Sequence, residues 1–208
     1  MLFIQDYILL PYYQTNTWLI YDSDSRDAIL IDPSAPDEAL LKHIRSLELK
    51  VHYIVNTHGH GDHIGGNDWF REKLKAQLAI HRLDAPMLTD NKKNLSAYMD
   101  SPLSNSAADI LLEDDQMLEA GTIKLRVIHT PGHTPGGICL LAEDYLISGD
   151  TLFEQSIGRT DFPGGSHSQI ISSIKTKLFN LPEQTLVCPG HGPKTTIGTE
   201  KINNPFIH

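Results

Sequence analysis

The chain of 208 residues is long enough for one sizeable hydrophobic core, and its 40% hydrophobic and 21% charged residues are typical of a folded globular protein. The formal net charge is −9, and no run of Lys and Arg is longer than Lys92–Lys93, which argues against nucleic-acid binding. The N-terminus lacks a basic region, and no apolar run reaches the ~18 residues that span a bilayer. We therefore expect a cytoplasmic protein without nucleic-acid or membrane partners; the oligomeric state is left open.

The first half of the chain alternates between strand-like and helix-like segments. Short β-like runs cover residues 2–10, 16–22 and 28–33, followed by an amphipathic helix over 36–47, a buried strand over 51–58, a helix over 67–77 and a strand over 78–81. The polar segment 89–115 has no clean period, and we interpret it as a loop or lid with one helical turn.

The second half repeats the same kind of order. Strand-like runs cover residues 123–133, 136–142 and 145–151, an amphipathic helix covers 166–179 with Ser166 as its N-cap, and a last strand covers 185–192. The two halves predict one α/β domain over residues 1–208, with two β-sheets packed together and helices outside. Cys139 and Cys188 lie in apolar runs, which favours buried free thiols over a disulfide.

The stretch NTHGHGDHIGG, residues 56–66, concentrates ligand-type side chains. His58, His60, Asp62 and His63 lie within six positions. In an extended strand the first three would share a face, and a backbone turn at Gly59 and Gly61 would bring in His63. A helix is the weaker interpretation, because two glycines in one turn cost about 1 kcal/mol each.

Three later segments each run from a strand into a glycine-containing turn that bears one ligand-type residue. They are HTPGHTPGG with His133, LISGDTLF with Asp150 and VCPGHGP with His191. His129 precedes its turn, which favours packing or an indirect role, and His167 is expected to face solvent. We assign no role to His43, His52 or His81.

Five histidines and two aspartates make seven candidate metal ligands: His58, His60, Asp62, His63, His133, Asp150 and His191. Seven exceeds the four of a closed tetrahedral site and suits two divalent ions, zinc best, with iron or manganese as alternatives. Because the two carboxylates undercompensate two such ions, a bridging hydroxide at neutral pH is favoured. The pattern predicts an open, hydrolytic type of site.

These residues resemble the H-x-H-x-D-H signature of the metallo-β-lactamase superfamily, which continues with a distant His, an Asp and a last His. The resemblance implies a four-layer αββα sandwich with the metals at one edge of the sheets. It also implies that His58, His60 and His133 hold one metal, that Asp62, His63 and His191 hold the other, and that Asp150 bridges them. Asp62 and Asp150 would also orient the nucleophile.

Within that superfamily, THGHGDHIGG, SGDTLF and GRTDFPGG look most like the short, single-domain bacterial form of glyoxalase II (hydroxyacylglutathione hydrolase). The implied activity is hydrolysis of a thioester such as S-lactoylglutathione by the bridging hydroxide. The extra C-terminal helical region with which full-length glyoxalase II binds glutathione is expected to be missing.

Two other activities remain open at this point. Persulfide dioxygenases share a GRTDF stretch and would use one iron on His58, His133 and Asp150, while lactone or β-lactam hydrolysis would use the whole site. Arg159 is expected to form a structural ion pair with Asp161, and Tyr98 to line the substrate cleft.

Overall fold

Two six-stranded mixed β-sheets face each other in the computed structural model, which describes residues 1–99 and 102–207. The first sheet contains, in spatial order, β1 (Leu2–Ile8), β2 (Asn16–Asp22), β3 (Asp27–Ile31), β4 (Lys50–Asn56), β5 (Gln77–His81) and β6 (Ile110–Leu112). Strands β1 to β3 pair antiparallel, and β3 to β6 pair parallel. The parallel strands therefore end at one common edge.

The second sheet is built mostly from the C-terminal half. Its strands are β7 (Met117–Ala120), β8 (Ile123–His129), β9 (Ile138–Ala142), β10 (Tyr145–Gly149), β13 (Leu186–Pro189) and β14 (Thr195–Thr196), in the spatial order β14-β13-β10-β9-β8-β7. Only the pair of β10 and β13 is parallel. A separate hairpin joins β11 (Leu152–Phe153) to β12 (Ser156–Ile157).

Helices cover the outer faces of both sheets or connect their strands. They are α1 (Glu38–Ser46), α2 (Gly61–Ile64), α3 (Asn67–Leu74), α4 (Ala85–Leu88), α5 (His167–Ser173) and α6 (Ile197–Asn203), with a 3₁₀ turn at Ser96–Tyr98 and a π-helical extension of α5 at Ile174–Leu178. The predicted N-cap is confirmed: the Ser166 hydroxyl accepts the Gln169 N–H.

Three hydrophobic layers hold the sheets and helices together. Because side chains alternate along a strand, Trp18 and Ile20 of β2 point between the two sheets, whereas Leu19 and Tyr21 point to the layer beneath α1 and α3. A third layer, which includes Ile170 of α5, covers the other face of the second sheet. The predicted αββα sandwich is confirmed.

The structure corrects the prediction for the polar segment 89–115. Its one helical turn exists, but residues 110–112 form the edge strand β6 instead of continuing the loop. Residues 100 and 101 of that segment lie outside the described residues. Both cysteines are buried free thiols, as predicted. Within residues 1–99 and 102–207, no helix has the length and apolar character needed to cross a membrane.

Candidate metal centre

All seven candidate ligands lie at the same edge of the sheet pair. His58 and His60 follow β4, Asp62 and His63 lie on α2, His133 follows β8, Asp150 follows β10, and His191 follows β13. The β-bridge between Thr15 and His191 joins the two sheets at this edge. Strand ends that are distant in sequence thus meet around one small volume.

The backbone of the histidine-rich stretch differs from the extended prediction. Helix α2 begins at Gly61, directly after His60, so Asp62 and His63 lie on a helical turn. The turn aims these consecutive side chains about 100° apart, which lets both face the site. The predicted backbone turn at Gly61 is present, but its helical form was not expected. The argument against a helix was wrong because only Gly61, and not Gly59, lies in α2.

The glycines in this stretch are required by close packing instead. Neither has a positive φ. A Cβ on Gly59 would lie 2.5 Å from the Met87 Cβ, and a Cβ on Gly61 would lie 2.9 Å from the Ser96 Cβ. Two other segments therefore pack directly against the backbone of the histidine-rich stretch.

Ligand atoms form two groups that match the division implied by the resemblance. One group is His58, His60 and His133, and the other is Asp62, His63 and His191; a third group, His58, His63 and Asp150, overlaps both. The Nε2 atoms of His63 and His191 are 3.3 Å apart, and an Asp62 oxygen lies 3.3 Å from His191 Nε2. Tetrahedral zinc with ~2.05 Å bonds separates its ligand atoms by about 3.3 Å, so this spacing fits a shared ion.

Asp150 lies between the two groups. One of its oxygens is 3.4 Å from His63 Nε2, and the other is 3.5 Å from His133 Nε2. His58 Nε2 and Asp150 Oδ1 are buried and have no hydrogen-bond partner among the described residues. Because buried polar atoms are normally paired, these two atoms and the imidazole donor set fit a binuclear metal site.

Protonation preferences differ between the two groups. Burial, reinforced by the neighbouring His63, holds the pKa of His58 well below its usual value, and burial lowers the pKa of His60 to about 3. For His63, burial also acts to lower the pKa, but Asp62, Asp150 and Asp32 outweigh it and raise the value to about 10. His58 and His60 thus favour the neutral imidazole, whereas the surroundings of His63 favour positive charge, which a metal ion supplies.

The outer nitrogens of three ligands are held by fixed acceptors. His63 Nδ1 lies 3.1 Å from an Asp32 oxygen, His133 Nδ1 lies 2.7 Å from the Arg159 carbonyl, and His191 Nδ1 lies 3.1 Å from the Tyr13 carbonyl. Each contact fixes the tautomer that leaves Nε2 free to face the site.

Asp32 and Asp84 hold the ligand loops, and sequence reasoning missed both. Asp84 is fully buried and accepts the N–H groups of Gly59 (3.2 Å) and Gly136 (2.6 Å) and the Thr134 hydroxyl (2.7 Å). Burial raises the pKa of Asp84, and these donors act in the opposite direction. A signal was present for one of them: Asp32 directly follows a strand-like run, as Asp150 does, whereas Asp84 lies three residues after the run that ends at His81.

Five of the candidate ligands form the floor of a cavity of about 790 Å³: His60, Asp62, His133, Asp150 and His191. Its walls are largely apolar and include Leu95, Tyr98, Met99, Phe153 and Phe162. The floor is nearly closed to solvent, with Asp150 only 11% exposed, while Tyr98 at the rim is 83% exposed. A volume of this size accommodates a drug-sized organic molecule.

Other side chains noted in the sequence lie outside the ligand set. His81 lies at the end of β5, as one of the two predicted positions, but it is buried and not at the surface. Its ring stacks on the ring of His129, with the two ring centroids 4.2 Å apart. His129 Nε2 also lies 2.9 Å from the Pro135 carbonyl, which fits a packing role. His167 is exposed at the start of α5, and Arg159 pairs with Asp161 as predicted.

Comparison with known proteins identifies the family. A sequence model of the metallo-beta-lactamase superfamily matches residues 10–191, most of the chain and every candidate ligand. The chain belongs to this superfamily.

Individual members of the superfamily are similar over nearly the whole length. The hydroxyacylglutathione hydrolase GloC of Haemophilus influenzae is 35% identical over 207 residues, which cover 94% of each chain. The crystal structure of the BLEG-1 B3 metallo-beta-lactamase has a TM-score of 0.93 and 39% identity, with 99% of each chain covered. TTHA1623 in a di-iron-bound form has a TM-score of 0.85 and 33% identity, covering 97% of this chain and 99% of that one.

Family and site together give a coarse assignment. The chain has the fold of a metallo-hydrolase, and its His/Asp cluster fits a binuclear metal centre.

Proposed function

We propose that this protein is a binuclear metal hydrolase of thioesters, with S-lactoylglutathione as the representative substrate and zinc as the favoured metal. The observation that carries the proposal is the clustering of seven His and Asp side chains, five of which line a cavity of about 790 Å³. The similarity to GloC supports the thioester as substrate class. The di-iron form of TTHA1623 keeps iron as an alternative metal.

The metal ions and the residues of the chain would have different roles in this reaction. When bound, two divalent ions supply a water nucleophile of lowered pKa and polarise the acyl carbonyl. Asp150 lies between the two ligand groups, and Asp62, whose oxygen accepts the Thr15 hydroxyl at 3.2 Å, is held in a fixed orientation. The largely apolar walls exclude bulk water from the reacting carbonyl, which strengthens the electrostatic interactions there. A thiolate leaves without a proton donor near neutral pH, since thiols ionise at about pH 8.5.

Two rival activities use the same residues. Oxidation of a persulfide at one iron would need only His58, His133 and Asp150, and would give no role to the other four ligands, which the fold gathers at the same place. Hydrolysis of a β-lactam or lactone begins with the same attack on an acyl carbon, and the similarity to BLEG-1 makes it the second candidate.

The deciding experiment pairs metal analysis with a substrate panel. Protein purified without chelator is assayed by elemental analysis and then with S-lactoylglutathione, a lactone, a β-lactam and glutathione persulfide. We expect two metal ions per chain and thiol release from the thioester. One iron per chain with oxygen uptake on the persulfide would overturn the proposal, and so would preferential hydrolysis of the β-lactam or lactone.

A matched pair of variants tests whether the site carries the activity. Asp62→Ala should abolish thioester hydrolysis while leaving the circular dichroism spectrum unchanged. Asp144→Asn changes an exposed aspartate just before β10, at the end of that strand opposite Asp150, and should keep full activity. Full activity in the Asp62→Ala variant would favour a non-catalytic metal-binding role.

A further inference from the structure

Lys92 is an exposed cation on the wall of the active-site cavity. In the part of the chain that the structure describes, its ammonium group has no ion-pair or hydrogen-bond partner. The neighbouring Lys93 differs: its ammonium lies 4.0 Å from the Asp90 carboxylate, and the residue does not line the cavity. Two adjacent lysines thus have different surroundings, and only one of them faces the space that a substrate would occupy.

The backbone around Lys92 is fixed relative to the metal ligands. The Asp90 carboxylate accepts the Lys92 N–H at 3.0 Å. Two residues later, the Asn94 carbonyl accepts the N–H of Gly61, which lies between His60 and Asp62. Consecutive Cα atoms are ~3.8 Å apart, so the Lys92 Cα lies within about 8 Å of the Asn94 Cα. The backbone segment that carries Lys92 is therefore hydrogen-bonded to the histidine-rich stretch.

The cavity's other cationic side chain that is not a histidine is already neutralised. Arg159 makes two hydrogen bonds to the Asp161 carboxylate, at 2.8 and 2.6 Å, and its guanidinium lies 3.9 Å above the Phe162 ring. A substrate anion would have to displace Asp161 to pair with it. Lys92 therefore supplies the uncompensated positive charge on the described wall.

We propose that Lys92 is a specificity residue that binds an anionic group, carboxylate or phosphate, on the thiol carrier of the substrate. This inference rests on the proposed thioesterase function. With the acyl carbon at the metal ligands on the floor, the thiol carrier extends along the apolar wall toward the exposed rim, where Lys92 lies. An exposed ammonium next to an apolar wall selects a carrier that combines a hydrocarbon backbone with a terminal negative charge.

The test compares three lactoyl thioesters that share the acyl group. S-lactoylglutathione carries carboxylates, S-lactoyl coenzyme A carries phosphates, and S-lactoyl-N-acetylcysteamine is neutral. Lys92→Ala should raise KM about two- to fivefold for at least one anionic carrier, with little change in kcat, because an exposed ion pair of this kind contributes modestly. KM for the neutral thioester should stay unchanged. The more affected anionic carrier identifies the group that Lys92 binds.

Two control variants make the result specific. Lys92→Arg keeps the charge and should restore most of the affinity, and Lys93→Ala should leave every KM at the wild-type value. The proposal is overturned if Lys92→Ala changes no KM, changes the neutral and anionic substrates equally, or is matched by Lys93→Ala.

A binding measurement separates this proposal from the proposed function. S-hexylglutathione, which cannot be hydrolysed, is titrated calorimetrically into wild-type protein, Lys92→Ala and Lys93→Ala. A weaker affinity for S-hexylglutathione only in Lys92→Ala supports the role of Lys92, even if the wild type hydrolyses no thioester. The absence of hydrolysis would contradict only the proposed thioesterase activity. Equal affinities in all three proteins, with S-lactoyl coenzyme A also unaffected in the kinetic assay, would overturn the role of Lys92.

Discussion

Asp84→Asn is the substitution that most directly tests how the ligand loops are held. The native carboxylate is fully buried and accepts three donors, from Gly59, Thr134 and Gly136. An asparagine of the same shape keeps one acceptor oxygen and replaces the other with an NH₂ group. If that oxygen stays on Gly136 and the Thr134 hydroxyl rotates to accept, the Gly59 N–H faces the new NH₂ and loses its acceptor.

The cost follows from these contacts. A buried N–H without an acceptor costs about 1–3 kcal/mol, and replacing charged with neutral hydrogen bonds to the other two partners costs about 1 kcal/mol more. We expect the free energy of unfolding to fall by about 2–4 kcal/mol. Because Gly59 separates His58 from His60, we also expect metal affinity to fall about 10- to 100-fold.

Urea unfolding in the presence of chelator measures the stability term without the contribution of bound metal. A competitive titration against a chromophoric chelator then measures metal affinity. Asp115→Asn is the matched control: Asp115 is 69% exposed, pairs with Arg126 at the surface, and should change stability by less than about 0.5 kcal/mol. If Asp84→Asn behaved like this control in both measurements, the three hydrogen bonds would not be holding the ligand loops.

Three further predictions concern the site and the buried imidazole pair. Gly190→Ala places a Cβ 2.2 Å from an Asp150 oxygen. Metal content by elemental analysis should therefore drop, while the far-ultraviolet circular dichroism spectrum stays unchanged. Full metal occupancy in this variant would contradict the packing argument. Chelator should lower the unfolding temperature and zinc should restore it, because His58 Nε2 is otherwise buried without a partner; an unchanged temperature in protein verified to be metal-free would refute this. Burial and the adjacent His129 lower the pKa of His81 to about 4, against ~6.5 when unfolded. The stability that neutral His81 contributes is then complete above pH ~6.5 and is lost as the pH falls to about 4. The urea midpoint of the His81→Gln variant should therefore decline less over that pH range than the midpoint of the wild type. Parallel declines of the two midpoints would show that His81 does not contribute.

The ligand set shows how far local sequence can lead. Each of the seven residues stands in a short stretch where an apolar run ends in a glycine-containing turn, and this pattern can be read without coordinates. The same pattern did not reveal the local backbone of the histidine-rich stretch. Helix α2 begins there at Gly61, where Met87 and Ser96 pack closely against Gly59 and Gly61, and propensity scales do not include such distant contacts.

The edge strand β6 and the surroundings of Lys92 are two further features that the local sequence does not predict. Residues 110–112 are three apolar residues in a polar segment, a run too short to show the alternation that predicts a strand, yet β5 offers an open edge with which they pair. Lys92 and Lys93 are adjacent residues of the same type, so the sequence does not distinguish their roles. Only the paths of their side chains, one toward Asp90 and one along the cavity, distinguish them.

The sequence alone determined the fold class and the candidate ligand residues, because strand periodicity and the spacing of His and Asp are local properties of the chain. The superfamily followed from the resemblance of this motif to a known signature. The tertiary structure decided which ligands share a group, that Asp32 and Asp84 hold the loops, and that the cavity is apolar with one uncompensated cation at its rim. These features depend on contacts between residues tens to more than a hundred positions apart, such as His63 with His191, and such contacts exist only once the two sheets are packed together.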